Sequence, residues 1–167
     1  TFATTEELIE LAKVASGYGG MYTTHMRSEG DFILPAINEV IRISREANIP
    51  AEIYHLKVNL SRNWGKIDTV LAKIDSARRA GVPLTANMYP YNASGTGLNS
   101  RLPTWVQEGG AAMMRKRINV PAIRRRVLYE MEKGIPSKNS EPESVTLMRF
   151  RLAELNANFK GKTLKEA

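Results

Sequence analysis

The stretch Met21-Tyr22-Thr23-Thr24-His25-Met26-Arg27-Ser28-Glu29-Gly30-Asp31 decides how the chain is read, because its pattern returns thirty residues later. There, Ala51-Glu52-Ile53-Tyr54-His55-Leu56-Lys57 again ends a short run in His, an apolar residue and a cation. These are the two histidines among 167 residues. A helix-like segment follows each time. Two histidines at matching ends of consecutive parallel strands project into the same space, which is how a parallel β/α fold builds a metal or catalytic site.

Outward from these runs the chain falls into repeating units. Thr4 or Thr5 caps a helix through Ala15, with Glu6 and Glu7 in its first turn and Leu8, Leu11, Ala12 and Ala15 as its apolar stripe. Met21 to Met26 reads as a strand. A helix from Phe32 to Ala47 presents Ile33, Ile37, Val40, Ile41 and Ser44, and tolerates Pro35 because it falls in the first turn. Ala51 to Lys57 is the second strand, and Asn59 to Gly65 a polar loop carrying Trp64. The helix from Lys66 to Ala80 presents Ile67, Val70, Leu71, Ile74 and Ala77, with Gly81 as its C-terminal stop. Pro83 to Met88 is the third strand. Strands starting near 21, 52 and 83 recur every thirty-one residues. The fold class expected is α/β, a partial (β/α)8 TIM-type barrel of about three β/α units.

The repeat stops after Gly97. Short helices are expected over 102–106, 111–117 and 122–133, a Pro- and Ser-rich loop over 135–144 and an alternating strand over 145–152. The domains expected are a partial barrel over 1–98, a mainly helical insertion over 99–144 and a return segment over 145–167. Charge divides similarly. Residues 1–100 carry 10 Lys/Arg and 10 Asp/Glu, whereas 101–167 carry 14 and 7, so the whole net charge of +7 lies in the last third. Arg115, Lys116 and Arg117 with Arg124, Arg125 and Arg126 form a basic cluster. Three adjacent arginines on a helix point in about 300° of directions, and no aromatic residues interleave them for base stacking. No nucleic-acid partner is expected.

Zero cysteines exclude disulfides and thiolate metal ligands from these residues. No apolar run reaches the length of a membrane helix and no basic-then-apolar leader is visible, so a cytoplasmic location without membrane contact is expected. None of the strands is followed by a glycine-rich nucleotide-binding turn.

The strand-end rule selects His25 and Arg27, His55 and Lys57, and Tyr89 and Tyr91. Imidazole is the commonest protein ligand of zinc, and a catalytic zinc site needs three protein ligands with one position open. Each histidine read alone is as well explained by a backbone partner; their matched placement favours ligation. Glu29 orients a ligand or pairs with Arg27, or serves, as Asp31 does, as a helix N-terminal carboxylate. Lys57 holds a substrate carboxylate or is a solvated cation. Tyr89 bonds a ligand or packs.

At these residues the sequence resembles the D-aminoacylase (N-acyl-D-amino-acid deacylase) group of the metal-dependent amidohydrolase superfamily. The matching pieces are Thr24-His25-Met26-Arg27-Ser28-Glu29-Gly30, His55-Leu56-Lys57, Asn63-Trp64-Gly65-Lys66, Tyr89-Pro90-Tyr91, Leu102-Pro103-Thr104-Trp105 and Gly161-Lys162-Thr163-Leu164. The resemblance implies that His25 and His55 are the Zn2+ ligands of the fifth and sixth barrel strands. Lys57, Tyr89 and Ser94 would contact the substrate carboxylate or acyl portion; Arg27 and Glu29, from the reading of the residues themselves, are expected to support the ligands. It also implies that the stretch from about Asn99 to Ser144 is an insertion covering the active site after strand seven. The implied activity is hydrolysis of a linear amide C–N bond in a small N-acyl-D-amino acid. The superfamily's His-x-His pair, bridging ligand and Asp general base have no counterpart here, so no catalytic base is expected within this chain. Tyr54 stands where a small hydroxyl residue is usual.

The expectation is therefore an internal fragment of a zinc deacylase, inactive as an isolated chain and able to self-associate through open sheet edges. Two other readings remain: a dihydroorotase-like cyclic-amide hydrolase fragment, and a non-catalytic basic binding or assembly module.

Overall fold

The computed structural model describes residues 3–91, 97, 99 and 102–132. Ser94, the expected strand over 145–152 and the return segment over 145–167 lie outside the described residues. The chain divides into two compact units, Thr1–Ser94 and Gly95–Ala167.

In the first unit the helix α1 (Thr5–Gly17) starts where the sequence indicates: the Thr4 side chain accepts a hydrogen bond from the Glu7 N–H at 3.1 Å. It leads to β1 (Tyr22–Thr24), α2 (Ile33–Glu46), β2 (Ala51–Ile53), a 3-10 turn over Ser61–Lys66, α3 (Ile67–Arg79) and β3 (Leu84–Ala86). The polar loop expected over 59–65 is thus partly helical. Gly81, at φ +84°, turns the chain out of α3, a conformation that costs glycine nothing.

The three strands form one parallel sheet in the order β1-β2-β3. Register places Tyr22, Ala51 and Leu84 in one row, Thr23, Glu52 and Thr85 in the next, and Thr24, Ile53 and Ala86 in the third. Side chains alternate between faces. Ala51, Ile53 and Leu84 join Ile33, Ile37, Val40, Val70 and Ile74 in the main core beneath α2 and α3. The opposite face carries the polar row Thr23, Glu52, Thr85. The sheet is α/β and parallel, with its helices packed in sequence along it.

Packing follows the expected face of α2 and adds two residues to it. Ile33, Ile37, Val40, Ile41 and Ser44 are buried, together with Ala36 and Ile43. Replacing a side chain such as Ile37, which has no exposed surface, by Ala costs about 2–5 kcal/mol. The α1 stripe differs from the expected one. Ile9 and Ala12 are buried, against Ile43, Ala47 and Ile49, while Leu11 is 62% exposed. On α3, Val70, Ile74 and Ala77 are buried but Ile67 and Leu71 face outward. Both differences have one cause. Apolar spacing does not say which flank of a helix is covered, and each outer helix of a three-strand sheet has a neighbour on one flank alone. Ile67 and Leu71, with Leu56, Ala86 and Met88, line an open apolar hollow of about 400 Å³ beside β3.

The second unit holds three described helices, α4 (Thr104–Gln107), α5 (Gly110–Ile118) and α6 (Pro121–Glu132). The Trp105 indole N–H donates to Glu130 Oε2 at 2.7 Å, and the Arg126 guanidinium lies 4.2 Å from the ring centre while donating to Glu130 Oε1. No helix among the described residues is long and apolar enough to cross a membrane.

Candidate metal centre at the strand ends

The parallel ladder continues past the strands. Tyr54 N–H donates to Thr24 O at 2.9 Å and Asn87 N–H to Ile53 O at 3.1 Å, so the next row across the sheet is His25, Tyr54, Asn87. Regular extension would therefore set Tyr54, not His55, beside His25. His55 instead adopts φ +43°, in the left-handed region. The backbone turns back there, and His55 Nε2 comes to 2.9 Å from His25 Nδ1. A bulky residue held at positive φ costs about 1–3 kcal/mol and persists where the surroundings fix it. The strand expected to run to Lys57 ends at Ile53 for this reason.

His25 is set from the other side. Met26 is buried in the core at 2% exposure, which anchors the chain and leaves the preceding imidazole at the edge of the sheet. Glu29, 6% exposed, enters the same space from the turn after β1. Its Oε1 lies 2.6 Å from Lys57 Nζ, 2.9 Å from His55 Nδ1 and 3.7 Å from His25 Nδ1. Lys57 Nζ is also 2.9 Å from His55 Nδ1 and 3.2 Å from the His55 carbonyl oxygen.

One arrangement of protons satisfies every contact except the approach of His55 Nδ1 to Glu29 Oε1 at 2.9 Å, where two acceptors face each other. Lys57 donates its three protons to Glu29 Oε1, His55 Nδ1 and His55 O, and His55 donates from Nε2 to His25 Nδ1. In this state the pair stores a hydrogen bond where a metal would sit. Ligation needs lone pairs on both His25 Nδ1 and His55 Nε2. The His55 proton then belongs on Nδ1, where Glu29 Oε1 is already in place to accept it. A carboxylate behind a ligating imidazole is the usual device for fixing that tautomer. Two nitrogens on one tetrahedral zinc stand about 3.3 Å apart at normal Zn–N lengths, so the rings need part by only a few tenths of an ångström. His25, Glu29 and His55 are a group whose ligand atoms lie within 4.8 Å of one another. Two imidazole nitrogens, one of them backed by a carboxylate, suit zinc in chemistry. Partial burial holds the pKa of His25 below its ordinary value; the carboxylate of Glu29 opposes that shift, while His55 and Lys57 add to it. The lone pair a metal needs is correspondingly available.

Tyr89 joins this cluster. Its ring centre is 6.5 Å from that of His55 and 5.6 Å from Lys57 Nζ, and Tyr91 stacks on it. Arg27 does not join it. Its Nε donates to both carboxylate oxygens of Glu39, at 2.8 and 2.7 Å, and its Nη2 to Ala3 O. Asp31 has a partner other than a helix terminus. Arg62 donates to both its oxygens at 3.0 Å and buried Asn63 adds a third bond at 3.0 Å, which together hold its carboxyl at about pKa 2. With Lys66 bonded to the Asp31 carbonyl, the Asn63-Trp64-Gly65-Lys66 segment is clamped onto the turn that carries Glu29.

No family model matches the chain. It is 45% identical over 95 residues to a D-aminoacylase and 41% identical over 90 residues to an N-acyl-D-glutamate deacylase, both of Alcaligenes xylosoxydans xylosoxydans. These matches cover 56% and 54% of this chain. The chain is related to the D-aminoacylases. It spans about a fifth of the relatives' length, 19% and 18%. Among solved structures, a D-aminoacylase described as defining a novel subset of amidohydrolases matches with a TM-score of 0.51 at 42% identity, over 53% of this chain and 19% of that one. An N-acyl-D-glutamate deacylase from Bordetella bronchiseptica, complexed with zinc and a phosphonate mimic of the tetrahedral intermediate, matches with the same TM-score at 37% identity and the same coverage. The resemblance carried by the two histidine motifs is thereby borne out.

Sequence reasoning did not single out Glu52 or Asn87. Asn87 Oδ1 accepts the His55 N–H at 2.7 Å, and its amide nitrogen bonds Glu52. The available signals were a carboxylate in the middle of a buried strand and an Asn at a strand end.

Proposed function

We propose that the chain is a segment of a zinc-dependent amidohydrolase that cleaves the amide of N-acyl-D-amino acids, and that it contributes two of the metal's ligands. The observation that carries this reading is the convergence of His25 Nδ1 and His55 Nε2, with Glu29 behind His55. The kinship to D-aminoacylases supports the substrate class. When bound, zinc supplies Lewis-acid activation of an amide carbonyl and of water.

The chain's own residues divide the remaining work. Glu29 accepts the His55 Nδ1 proton and keeps Lys57 oriented. Lys57, a cation on a part-buried stem beside Tyr89, receives the substrate carboxylate, and Tyr89 borders the acyl portion. Ser94 keeps its place as a substrate contact on the resemblance alone. Arg27, engaged by Glu39, acts on the site only through the backbone it fixes.

The architecture proposed is three consecutive units of a (β/α)8 barrel, with 99–144 as an insertion and 145–167 as a return segment. Support comes from the sequential parallel order, from edges of β1 and β3 left unpaired among the described residues, and from outward apolar residues on α1 and α3 that further units would cover. Zinc titration of this chain and of His25→Ala and His55→Ala tests the site. We expect binding that either substitution abolishes. Equal binding by all three chains would refute it. Two histidines without a general base are not expected to turn over N-acyl-D-amino acids, so deacylation by the purified 167 residues at enzymatic rates would refute the division of labour.

A further inference from the structure

We infer that Asn87, with its amide oriented by Glu52, is the positioning residue that makes His55 a ligand. The site depends on one unusual backbone conformation, the left-handed turn at His55. Asn87 grips that turn on both sides. Its own N–H donates to Ile53 O at 3.1 Å, its carbonyl accepts the Leu56 N–H at 2.7 Å, and its side-chain Oδ1 accepts the His55 N–H at 2.7 Å. Its side chain thus pairs the one N–H that the turn rotates out of the ladder.

That bond needs the carbonyl end of the amide to face His55. Glu52 decides the matter. Its carboxylate only accepts, so the amide nitrogen of Asn87 must face Glu52 Oε1, and the oxygen then faces His55. Thr85 donates to the other Glu52 oxygen at 3.2 Å, which holds the carboxylate in place. Glu52 and Thr85 are neighbours in the sheet register, and Asn87 lies two residues past Thr85 on the same face. The polar row on the sheet's open face therefore works as a relay of position, Thr85 to Glu52 to Asn87 to the backbone of His55. None of these residues touches the His25–His55 contact directly.

The inference rests on the proposed metal site for one of its two readouts only. Asn87→Ala, Asn87→Asp and the double variant Asn87→Asp/Glu52→Gln are made in the full chain. Without metal, hydrogen exchange of the His55 amide and the cross-relaxation contact between the two imidazoles are followed by NMR. With metal, zinc affinity is measured by competition with a chromophoric chelator. Asn87→Ala removes the acceptor. Exchange at His55 is expected to quicken roughly tenfold, the ring contact to weaken, and zinc affinity to fall on the order of tenfold. Asn87→Asp keeps the acceptor but sets two carboxylates against each other, and the same losses are expected. The double variant restores a donor, with the new amide on β2 now donating to the new carboxylate past β3, and returns both readouts toward those of the unsubstituted chain. General loosening of the sheet would not be repaired by exchanging donor and acceptor. If Asn87→Ala fails to fold, the comparison of Asn87→Asp with the double variant decides. Native exchange and ring contact in Asn87→Ala, or a folded double variant no better than Asn87→Asp, would overturn the inference. Should the unsubstituted chain bind no zinc, the metal proposal falls while the amide readout still judges Asn87.

Discussion

Glu29→Gln is the substitution that probes the site most directly. The side chain is nearly isosteric, so packing changes little, but one charge is lost at a point where three groups meet. Glu29 is 6% exposed and its Oε1 holds Lys57 Nζ at 2.6 Å, with His55 Nδ1 at 2.9 Å. Lys57 keeps 28% of its side-chain surface, so water offsets part of the loss and the full penalty for an orphaned buried charge, about 3–5 kcal/mol, does not apply. A charge-assisted hydrogen bond is worth about 1.5–3 kcal/mol. For a unit of this size that lowers the melting temperature by roughly 6–24 °C. The metal readout is separate. A Gln carbonyl is a weaker acceptor for the His55 Nδ1 proton, and its NH2 group competes with Lys57. Zinc affinity should drop about 10–100-fold. The imidazole 15N shifts of His55 report the cause: zinc should bring the unsubstituted chain to the Nδ1–H tautomer, and the variant less completely. Unchanged zinc affinity with an unchanged His55 tautomer would refute the role given to Glu29, whatever the melting temperature does.

Other perturbations address the frame. The folded-state pKa of Asp31 is held at about 2, below its ordinary 3.8, so its stabilisation is complete above about pH 4 and is lost as pH falls towards 2. Urea titrations of the parent chain and Asp31→Asn should differ at pH 6 and converge near pH 2; a constant difference would count against the Arg62 pairing. Leu71→Glu and Ile67→Lys place charge on the outward flank of α3 beside the open edge of β3. Size-exclusion chromatography should then show less self-association than for the parent, and an unchanged elution profile would show that this flank does not mediate it. Glu130→Gln removes the charged partner of both Trp105 and Arg126. The Trp105 environment should loosen, read as a shifted and more quenchable fluorescence in a Trp64→Phe background, and no change would place the indole bond outside what holds α4 to α6.

Much of the frame was legible in the sequence because it rests on periodicity. The α2 face from Ile33 to Ser44 was readable in advance, since a helix covered on one side leaves a 3.6-residue trace. Thr4 was readable as a cap because its side chain acts within three residues. What depends on distant neighbours left no trace. Leu11 and Leu71 look like core residues, yet they lie on outer flanks, where burial is decided by an adjacent element and not by their own helix. Asp31 looked like a helix-terminal carboxylate, and its real partner, Arg62, is thirty-one residues away. The site was half legible. Matching strand ends picked out His25 and His55, whereas the left-handed turn at His55 and the Asn87 bond that supports it cannot be seen in spacing.

The two histidine motifs look alike in sequence and are used in opposite ways. His25 continues the ladder of β1, and the cation two residues on, Arg27, swings outward to Glu39 and ties the strand end to α2. His55 breaks the ladder of β2, and its cation, Lys57, folds inward onto Glu29 and the imidazole itself. The asymmetry follows from register. The residue just past β2 in the row of His25 is Tyr54, so the second imidazole comes from the position after it. Turning the backbone at positive φ at His55 brings the two imidazoles to a nitrogen–nitrogen distance of 2.9 Å. The strain at His55, the inward lysine and the Asn87 support are then consequences of one requirement, that two imidazoles from adjacent strands meet at a point.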